Sequence, residues 1–351
     1  MVGLYKKNYG RIWTNIYKFK HALSFLEAPT YVQLVITHKC NYSCEHCGTS
    51  AGKPLKNELS TFEIKKLVEE MGSMGVKYLS VTGGEPLSRP DLFEILNFAK
   101  SKCMKVGFVT HGGFIDKYRS EIKKLAPYSM MISIDGLKKT HNGFRGNNAH
   151  FDNSLKAMKF FEEIKVPIRS ISTLVNKKNL HELDELKKVV FSSGANHWRI
   201  NIAIPEGRAK NKKWMRLNNK ELLKLFNFIK NNNKNFKIEL CEGAGYLGEW
   251  DTKLKKTPFY CGCGWNTCTV MADGTVMGCP IFEDQKKHSE GNIRDSSFKD
   301  IWDNKFERFR KLELPDECDS CKHLNACRGG CWMMRVFDAH CLKDVWEKNK
   351  P

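Results

Sequence analysis

No run of 18 or more apolar residues occurs anywhere in this 351-residue chain, which excludes an ordinary membrane-spanning helix. A secretory signal is missing as well. The N-terminus is basic and aromatic, but Lys18 and Lys20 interrupt any apolar core segment and no small-residue cleavage site follows. The chain therefore reads as cytoplasmic, a reducing compartment in which disulfides are rare. That bears on its 14 cysteines, for which metal binding is the better expectation. Acidic residues are in short supply, 39 against 58 lysines and arginines, for a net charge of +19. Yet there is no arginine-rich tract and no interleaved aromatic platform of the kind nucleic-acid surfaces use. The cations sit on what read as solvated helix faces, such as NNKELLKLFNFIKNNNKNFK, so nucleic acid is not the favoured partner. No internal repeat is present, and only residues 231–235 approach low complexity.

What is present, from about residue 31, is an alternation of short apolar runs with helical patterns, the mark of βα units around a parallel sheet. YVQLVIT reads as a strand running into a cysteine loop. STFEIKKLVEEMG reads as a helix: Ser60 and Glu63 form a capping-box pattern, Ile64, Leu67, Val68 and Met71 follow at helical spacing, and Gly72 offers a stop. Six such strands are expected, ending with HWRINIAIP, which suits an α/β, partial TIM-like (β/α)6 barrel rather than a closed eight-stranded one. The pattern changes after PEGRAKNKK. The expected division is a basic extension over 1–30, the barrel over 31–212, a helical linker over 213–260 and a cysteine-rich domain over 261–351.

Active sites of such barrels lie at the C-terminal ends of the strands. The candidate loops all fall there: the cysteines after the first strand, GGEP after the second, His111 after the third and Asp135 after the fourth. THKCNYSCEHCGTS places Cys40, Cys44 and Cys47 within a few residues of one another, with His38 and His46 beside them. Thiolates suit both a zinc ion, which wants four closed ligands, and an iron–sulfur cluster. In GGEP, Gly83 and Gly84 would let a ligand approach the backbone, and Glu85 offers a carboxylate suited to an ammonium group.

A C-x3-C-x2-C loop followed one βα unit later by GGEP resembles the radical S-adenosylmethionine (SAM) superfamily, and the resemblance extends over 31–351. It implies that Cys40, Cys44 and Cys47 bind a four-iron, four-sulfur cluster whose fourth iron is left for the amino and carboxylate groups of SAM. It also implies that Gly83, Gly84, Glu85 and Pro86 hold the methionine amino group. One electron from the cluster would cleave the sulfonium, and the 5′-deoxyadenosyl radical would abstract a substrate hydrogen. SIDGLKKTHNGFRG is similar to the family's fourth strand and following loop, which suggests Ser133 and Arg145 as ligands of the ribose or carboxylate. His46 is expected to pack beside the cluster or the adenine.

The C-terminal cysteines follow a second pattern. Cys318, Cys321, Cys327 and Cys331 run as C-x2-C-x5-C-x3-C with Cys341 beyond, and DGTVMGC reads as a hairpin leading to Cys279. Taken alone, the four-cysteine run would also suit a zinc ribbon. With Cys261 and the linking segment GNIRDSSFKDIWDN, the whole resembles the seven-cysteine SPASM domain, which carries two auxiliary iron–sulfur clusters. By that resemblance Cys318, Cys321, Cys327 and Cys341 hold the second auxiliary cluster. Cys261, Cys279 and Cys331 belong to the first, its fourth ligand being Cys263, Cys268 or Cys241. Three clusters and SAM are thus the implied cofactors. Cys103, just before a strand, is expected to be a small buried apolar residue.

The family resemblance implies an enzyme that modifies a peptide or protein side chain by crosslinking, epimerisation or oxidation, with a precursor peptide and a low-potential electron donor as partners. Cys279 is followed by Pro280 rather than the aspartate that sulfatase-maturing relatives use as a base, which disfavours that role. Only 39 residues precede Cys40, too few for the usual fused leader-recognition domain, so a separate recognition protein or the basic surface would have to serve. Small-molecule chemistry of the tetrapyrrole or aminoglycoside type is the alternative, and a non-catalytic, metal-bearing RNA-binding protein a third.

Overall fold

The computed structural model describes residues 28–233, 236–255, 259–312, 314, 316–337 and 341–349. The basic extension expected over 1–30 lies almost wholly outside them. Seven strands follow in chain order: β1 (Tyr31–Thr37), β2 (Tyr78–Gly83), β3 (Lys105–Thr110), β4 (Ser129–Ser133), β5 (Ile168–Val175), β6 (His197–Ile202) and β7 (Lys237–Leu240). Each pairs in parallel with the next. The crossovers carry α1 (Thr61–Met74), α2 (Leu92–Ser101), α3 (Arg119–Leu125), α4 (Lys138–Arg145), α5 (His150–Glu163), α6 (Leu183–Ser192) and α7 (Asn219–Asn232). Val32, Leu34, Val35 and Ile36 of β1 are wholly or almost wholly buried, as a strand covered on both faces requires.

The partial barrel is extended on both sides. Residues 213–260, expected as a helical linker, hold the helix α7 but also β7, which adds a seventh parallel strand beside β6. On the other side β8 (Thr267–Val270) pairs in parallel with β1, and β9 (Thr275–Met277) and β10 (Gly291–Asn292) continue antiparallel, giving a ten-stranded sheet. The β8–β9 turn carries the Asp273-Gly274 pair, with Gly274 at φ +89°, the left-handed region that favours glycine. The cysteine-rich half thus shares a sheet with the barrel.

The capping box of α1 forms as read: the Ser60 hydroxyl accepts from the Glu63 N–H, and the Glu63 carboxylate accepts from the Ser60 N–H. Ser60→Ala should lower stability by about 1 kcal/mol, measured as a shift in the urea midpoint at unchanged slope. The stop, however, is Gly75 at φ +86°, not Gly72. Gly72 lies inside the helix, where a Cβ would come within 2.8 Å of the Lys102 Cβ; it is there for close packing against the end of α2. Cys103, expected to be buried, is exposed at φ +62° in the turn between α2 and β3. The turn puts its side chain on the surface, and Met104 is the residue that enters the core. The segment after β10 docks on α1, where Arg294 pairs with Glu63 at 2.6 Å and the Phe298 N–H donates to Glu70.

Candidate active site

The loop after β1 folds back on itself: the Cys40 N–H donates to the Gly52 carbonyl and the Gly52 N–H to the His38 carbonyl. Cys40, Cys44 and Cys47 thereby face one open pocket, with Gly83, Gly84, Ser133 and Arg145 in its lining. Burial pushes the Cys40 thiol up to about 11, and charge on Cys44 and Cys47 would push it the same way, so the three sulfurs are near neighbours. Among the described residues no three His, Cys, Asp or Glu side chains converge on a point fit for a single metal ion. Three clustered thiols at an open pocket, with no fourth ligand among the described residues converging on them, fit a polynuclear cluster and a cosubstrate better than a closed mononuclear zinc site. His38 is engaged elsewhere, its ring edge-on to Phe282 at 5.8 Å.

Both glycines of GGEP line the pocket, and both also have a packing role. A Cβ on Gly83 would sit 2.3 Å from the Thr37 carbonyl oxygen, and one on Gly84 2.3 Å from that of Lys39. They let the end of β2 press against the start of the cysteine loop. The Glu85 carboxylate is held from within the protein. It is fully buried and accepts from the Thr110 hydroxyl, the His111 N–H at 2.9 Å and the Leu87 N–H at 3.0 Å. Burial pushes its pKa up to about 7 against these hydrogen bonds. Glu85 ties β2 to β3, and Pro86 is buried beside it. Gly84→Ala should displace the cysteine loop, because the atoms it would strike are backbone. If Cys40, Cys44 and Cys47 hold the cluster that the resemblance implies, iron retention should fall by more than half, with a matching loss of 5′-deoxyadenosine formation.

Arg145 and Ser133 both reach the pocket, the Arg145 side chain being 12% exposed. Its guanidinium pairs with Asp135, donating through Nε at 2.9 Å, and Nη1 lies 3.8 Å from the Cys44 sulfur. Asp135 also meets His46 Nε2 at 3.2 Å and accepts from the Leu174 N–H. Burial opposes the Asp135 charge, but Arg145 and His46 outweigh it and hold its carboxyl well below the usual range. Burial likewise opposes the charge on Arg145, and Asp135 and Cys44 outweigh it. A fixed guanidinium beside a cysteine favours the thiolate that a metal needs. His46 lines the same pocket.

Three buried histidines that no sequence motif gathers meet here, His111 in the pocket lining and His141 and His150 behind it. His141 Nδ1 accepts from the Asp135 N–H, and His141 Nε2 lies 2.7 Å from His150 Nδ1. Tyr42 packs between His111 and His150 at 4.1 and 4.9 Å. Burial first, and the Arg145 charge second, hold His111 and His141 down at about 3 and His150 at about 2, so all three are neutral.

A second element without a motif is the loop after β6. Gly207, at φ +56°, packs so closely that a Cβ would lie 2.2 Å from the Gly48 carbonyl oxygen. Arg208 donates to the Cys44 carbonyl at 2.7 Å and the Ala51 carbonyl at 2.9 Å. Its neighbour Glu206, 5% exposed, accepts from the N–H groups of Phe282 and Glu283. One loop therefore clamps the cysteine loop and the cysteine-rich half together. The only signal in the sequence is a glycine followed by arginine at a strand end.

In the cysteine-rich half two groups of thiols form. Cys263 is hydrogen-bonded to Cys261 and Cys279, and Cys331, pushed by burial to about 12, feels Cys261 and Cys241. Cys268 is not among them. It lies opposite Val32 on β8 and is wholly buried in the main apolar core, where the strand's alternation aims it away from the other thiols. Cys327 is pushed to about 12 by burial and then by Cys341, Cys318 and Cys321. A pocket lined by Cys261, Cys263 and Cys327 lies between the groups.

A parallel-stranded partial barrel with clustered thiols at one end, and an appended unit with two further thiol groups, suits an enzyme that carries iron–sulfur clusters. Comparison with known proteins gives the family. Residues 34–190 match the radical SAM superfamily and residues 261–322 the SPASM iron–sulfur cluster-binding domain. This chain is a radical SAM enzyme with a SPASM domain, and SAM and iron–sulfur clusters are its cofactors. Its relatives include mycofactocin maturase MftC of Mycolicibacterium smegmatis, 29% identical over 89% of this chain and 80% of that protein. The AdoMet-dependent heme synthase of Methanosarcina barkeri is 28% identical over 88% of this chain and 92% of its own. Among solved structures, Streptococcus suis SuiB bound to precursor peptide SuiA superposes with a TM-score of 0.72 at 17% identity, over 90% of this chain and 76% of that one. Among the described residues no helix is long and apolar enough to cross a membrane.

Proposed function

We propose that this enzyme acts on a ribosomally made precursor peptide, abstracting a hydrogen and leaving a crosslink, an epimerised residue or an oxidised one. The observation that carries the choice of substrate is the likeness, along nearly the whole chain, to a protein named as a maturase. The net charge of +19 suits an acidic leader segment. As functional units we take 31–212 as the barrel, 213–260 as the connection and 261–351 as the auxiliary-cluster domain.

Cys40, Cys44 and Cys47 would hold the cluster that binds SAM, with Gly83, Gly84, Ser133 and Arg145 shaping the space for the cosubstrate. When bound, that cluster and SAM supply a 5′-deoxyadenosyl radical. Two auxiliary clusters complete the reading. Cys261, Cys263, Cys279 and Cys331 would hold the first, with Cys241 alongside, and Cys318, Cys321, Cys327 and Cys341 the second. In this scheme Arg145 and Asp135 orient the pocket wall, and the Arg208 clamp keeps the cysteine loop closed over it. A low-potential donor supplies the electron, and a separate recognition protein or the basic surface brings the peptide.

The heme synthase relative favours tetrapyrrole side-chain chemistry as a second reading. One experiment separates them. Reconstituted enzyme, reductant and SAM are incubated with each short peptide encoded nearby and, separately, with a tetrapyrrole, and the products are weighed. A peptide lighter by two hydrogens, or unchanged in mass in ordinary water but heavier by one deuterium when the reaction runs in deuterated water, bears the proposal out. Turnover of the tetrapyrrole alone overturns it. An RNA-binding protein without catalysis no longer stands beside these two, because the chain is an enzyme.

A further inference from the structure

The segment after β6, RAKNKKWMR, carries five cations and no acid. Three of the five are committed. Arg208 holds the cysteine loop, Lys210 pairs with Glu283 at 2.5 Å, and Lys212 pairs with Glu45 at 3.3 Å. Lys213 and Arg216 are exposed, and among the described residues neither forms an ion pair. The loop after β5 adds Lys177 and Lys178, also exposed and also without an acidic partner there. The two loops are tied together: the Lys177 N–H donates to the Trp214 carbonyl, and the Lys178 ammonium lies 3.9 Å from the centre of the Trp214 ring.

This cationic group stands at the pocket's edge. Trp214 stacks on Phe144 at 5.3 Å with the rings 14° apart, and Phe144 meets His46, in the pocket wall, at 6.0 Å. The Phe144 carbonyl accepts from the Glu45 N–H inside the cysteine loop. Cations held close together without acids repel one another, and such a patch is the electrostatic complement of an anionic partner. A single tryptophan already stacked on Phe144 is not the series of base-stacking platforms that single-stranded nucleic acid needs.

We propose that Lys177, Lys178, Lys213 and Arg216, grouped around Trp214, dock an acidic segment of the substrate peptide at the mouth of the SAM pocket. This rests on the peptide reading and gives it a place: Asp and Glu side chains meet the cations while Trp214 covers their aliphatic stems. The rim then sets which part of the peptide reaches the pocket.

The test uses a fluorescein-labelled dodecapeptide of alternating glutamate and serine, with reconstituted full-length enzyme and binding read by anisotropy. The comparison protein is K177E/K213E/R216E, whose three sites are exposed and outside the cluster and SAM residues. Reversing the rim should weaken binding about tenfold or more, because like charges then face each other. Raising salt from about 0.05 M to about 0.5 M should weaken the wild type while leaving the variant little changed. Cleavage of SAM without substrate should stay the same in both proteins. Equal affinity in the two proteins, no binding by either, or displacement of the peptide by a lower concentration of a twelve-base single-stranded oligonucleotide overturns the proposal, the last in favour of a nucleic-acid surface. Because the readout needs no turnover, it fails separately from the peptide reading: a neighbouring peptide modified equally by both proteins keeps that reading and discards the rim.

Discussion

Replacing Cys40, Cys44 and Cys47 together by alanine is expected to abolish formation of 5′-deoxyadenosine while leaving the iron–sulfur absorption of the C-terminal half in place. The wild-type protein, reconstituted without oxygen, should hold about twelve irons per chain, and the triple variant about eight, because a four-iron cluster is held by cysteine thiolates. The thiols of the two auxiliary groups are drawn from residues 261–341 and share no sulfur with the loop after β1. Iron analysis with electron paramagnetic resonance of the reduced proteins reads both numbers. Stoichiometric zinc with four irons or fewer in the wild type would end the auxiliary-cluster assignment, and cleavage persisting in the triple variant would end that of the SAM cluster.

The second large effect belongs to Asp135→Ala. Asp135 is 1% exposed and faces Arg145, which also lies near the Cys44 sulfur. Removing the carboxylate leaves a largely buried guanidinium without its partner, which costs up to about 3 kcal/mol where the pocket gives it some access to water. His46 and the Leu174 N–H lose a partner as well. The expected outcome is a marked fall in the denaturation midpoint of the iron-free protein, together with poor loading of the first cluster. Asp135→Asn keeps the shape and one acceptor and should recover part of the stability but less of the cluster loading. A variant as stable as wild type would mean that Arg145 finds another acceptor and that the pair is not what fixes the pocket wall.

Features set by neighbours along the chain are legible in the sequence itself. Ser60 and Glu63 cap α1 because the motif is local, the Asp273-Gly274 turn forms for the same reason, and the three cysteines after β1 sit where a strand end delivers them. Features set by distant segments are not. The engagement of Glu85 depends on Thr110 and His111 of the next strand end, the Arg208 clamp on a loop more than a hundred residues away along the chain, and the three neutral histidines on two helices and a strand end meeting. Cys263 and Cys268 look equally good as ligands in the sequence, because the register of β8 against β1, which turns Cys268 into the core, is a long-range pairing. Cys103 reads as buried because a left-handed turn residue has no periodicity to betray it.

The pairing of β8 with β1 also limits how this enzyme can be taken apart. β1 is an interior strand, and one of its two partners comes from a segment more than two hundred residues later. A fragment ending before β8 would turn β1 into a bare edge of apolar residues with unpaired backbone groups, the arrangement most prone to join other chains. The barrel is therefore not a cassette that can be excised, or grafted onto a different auxiliary domain, at a linker. Shuffling the two halves among relatives would succeed only if β8 and β9 travel with the barrel and the exchange point falls after β10.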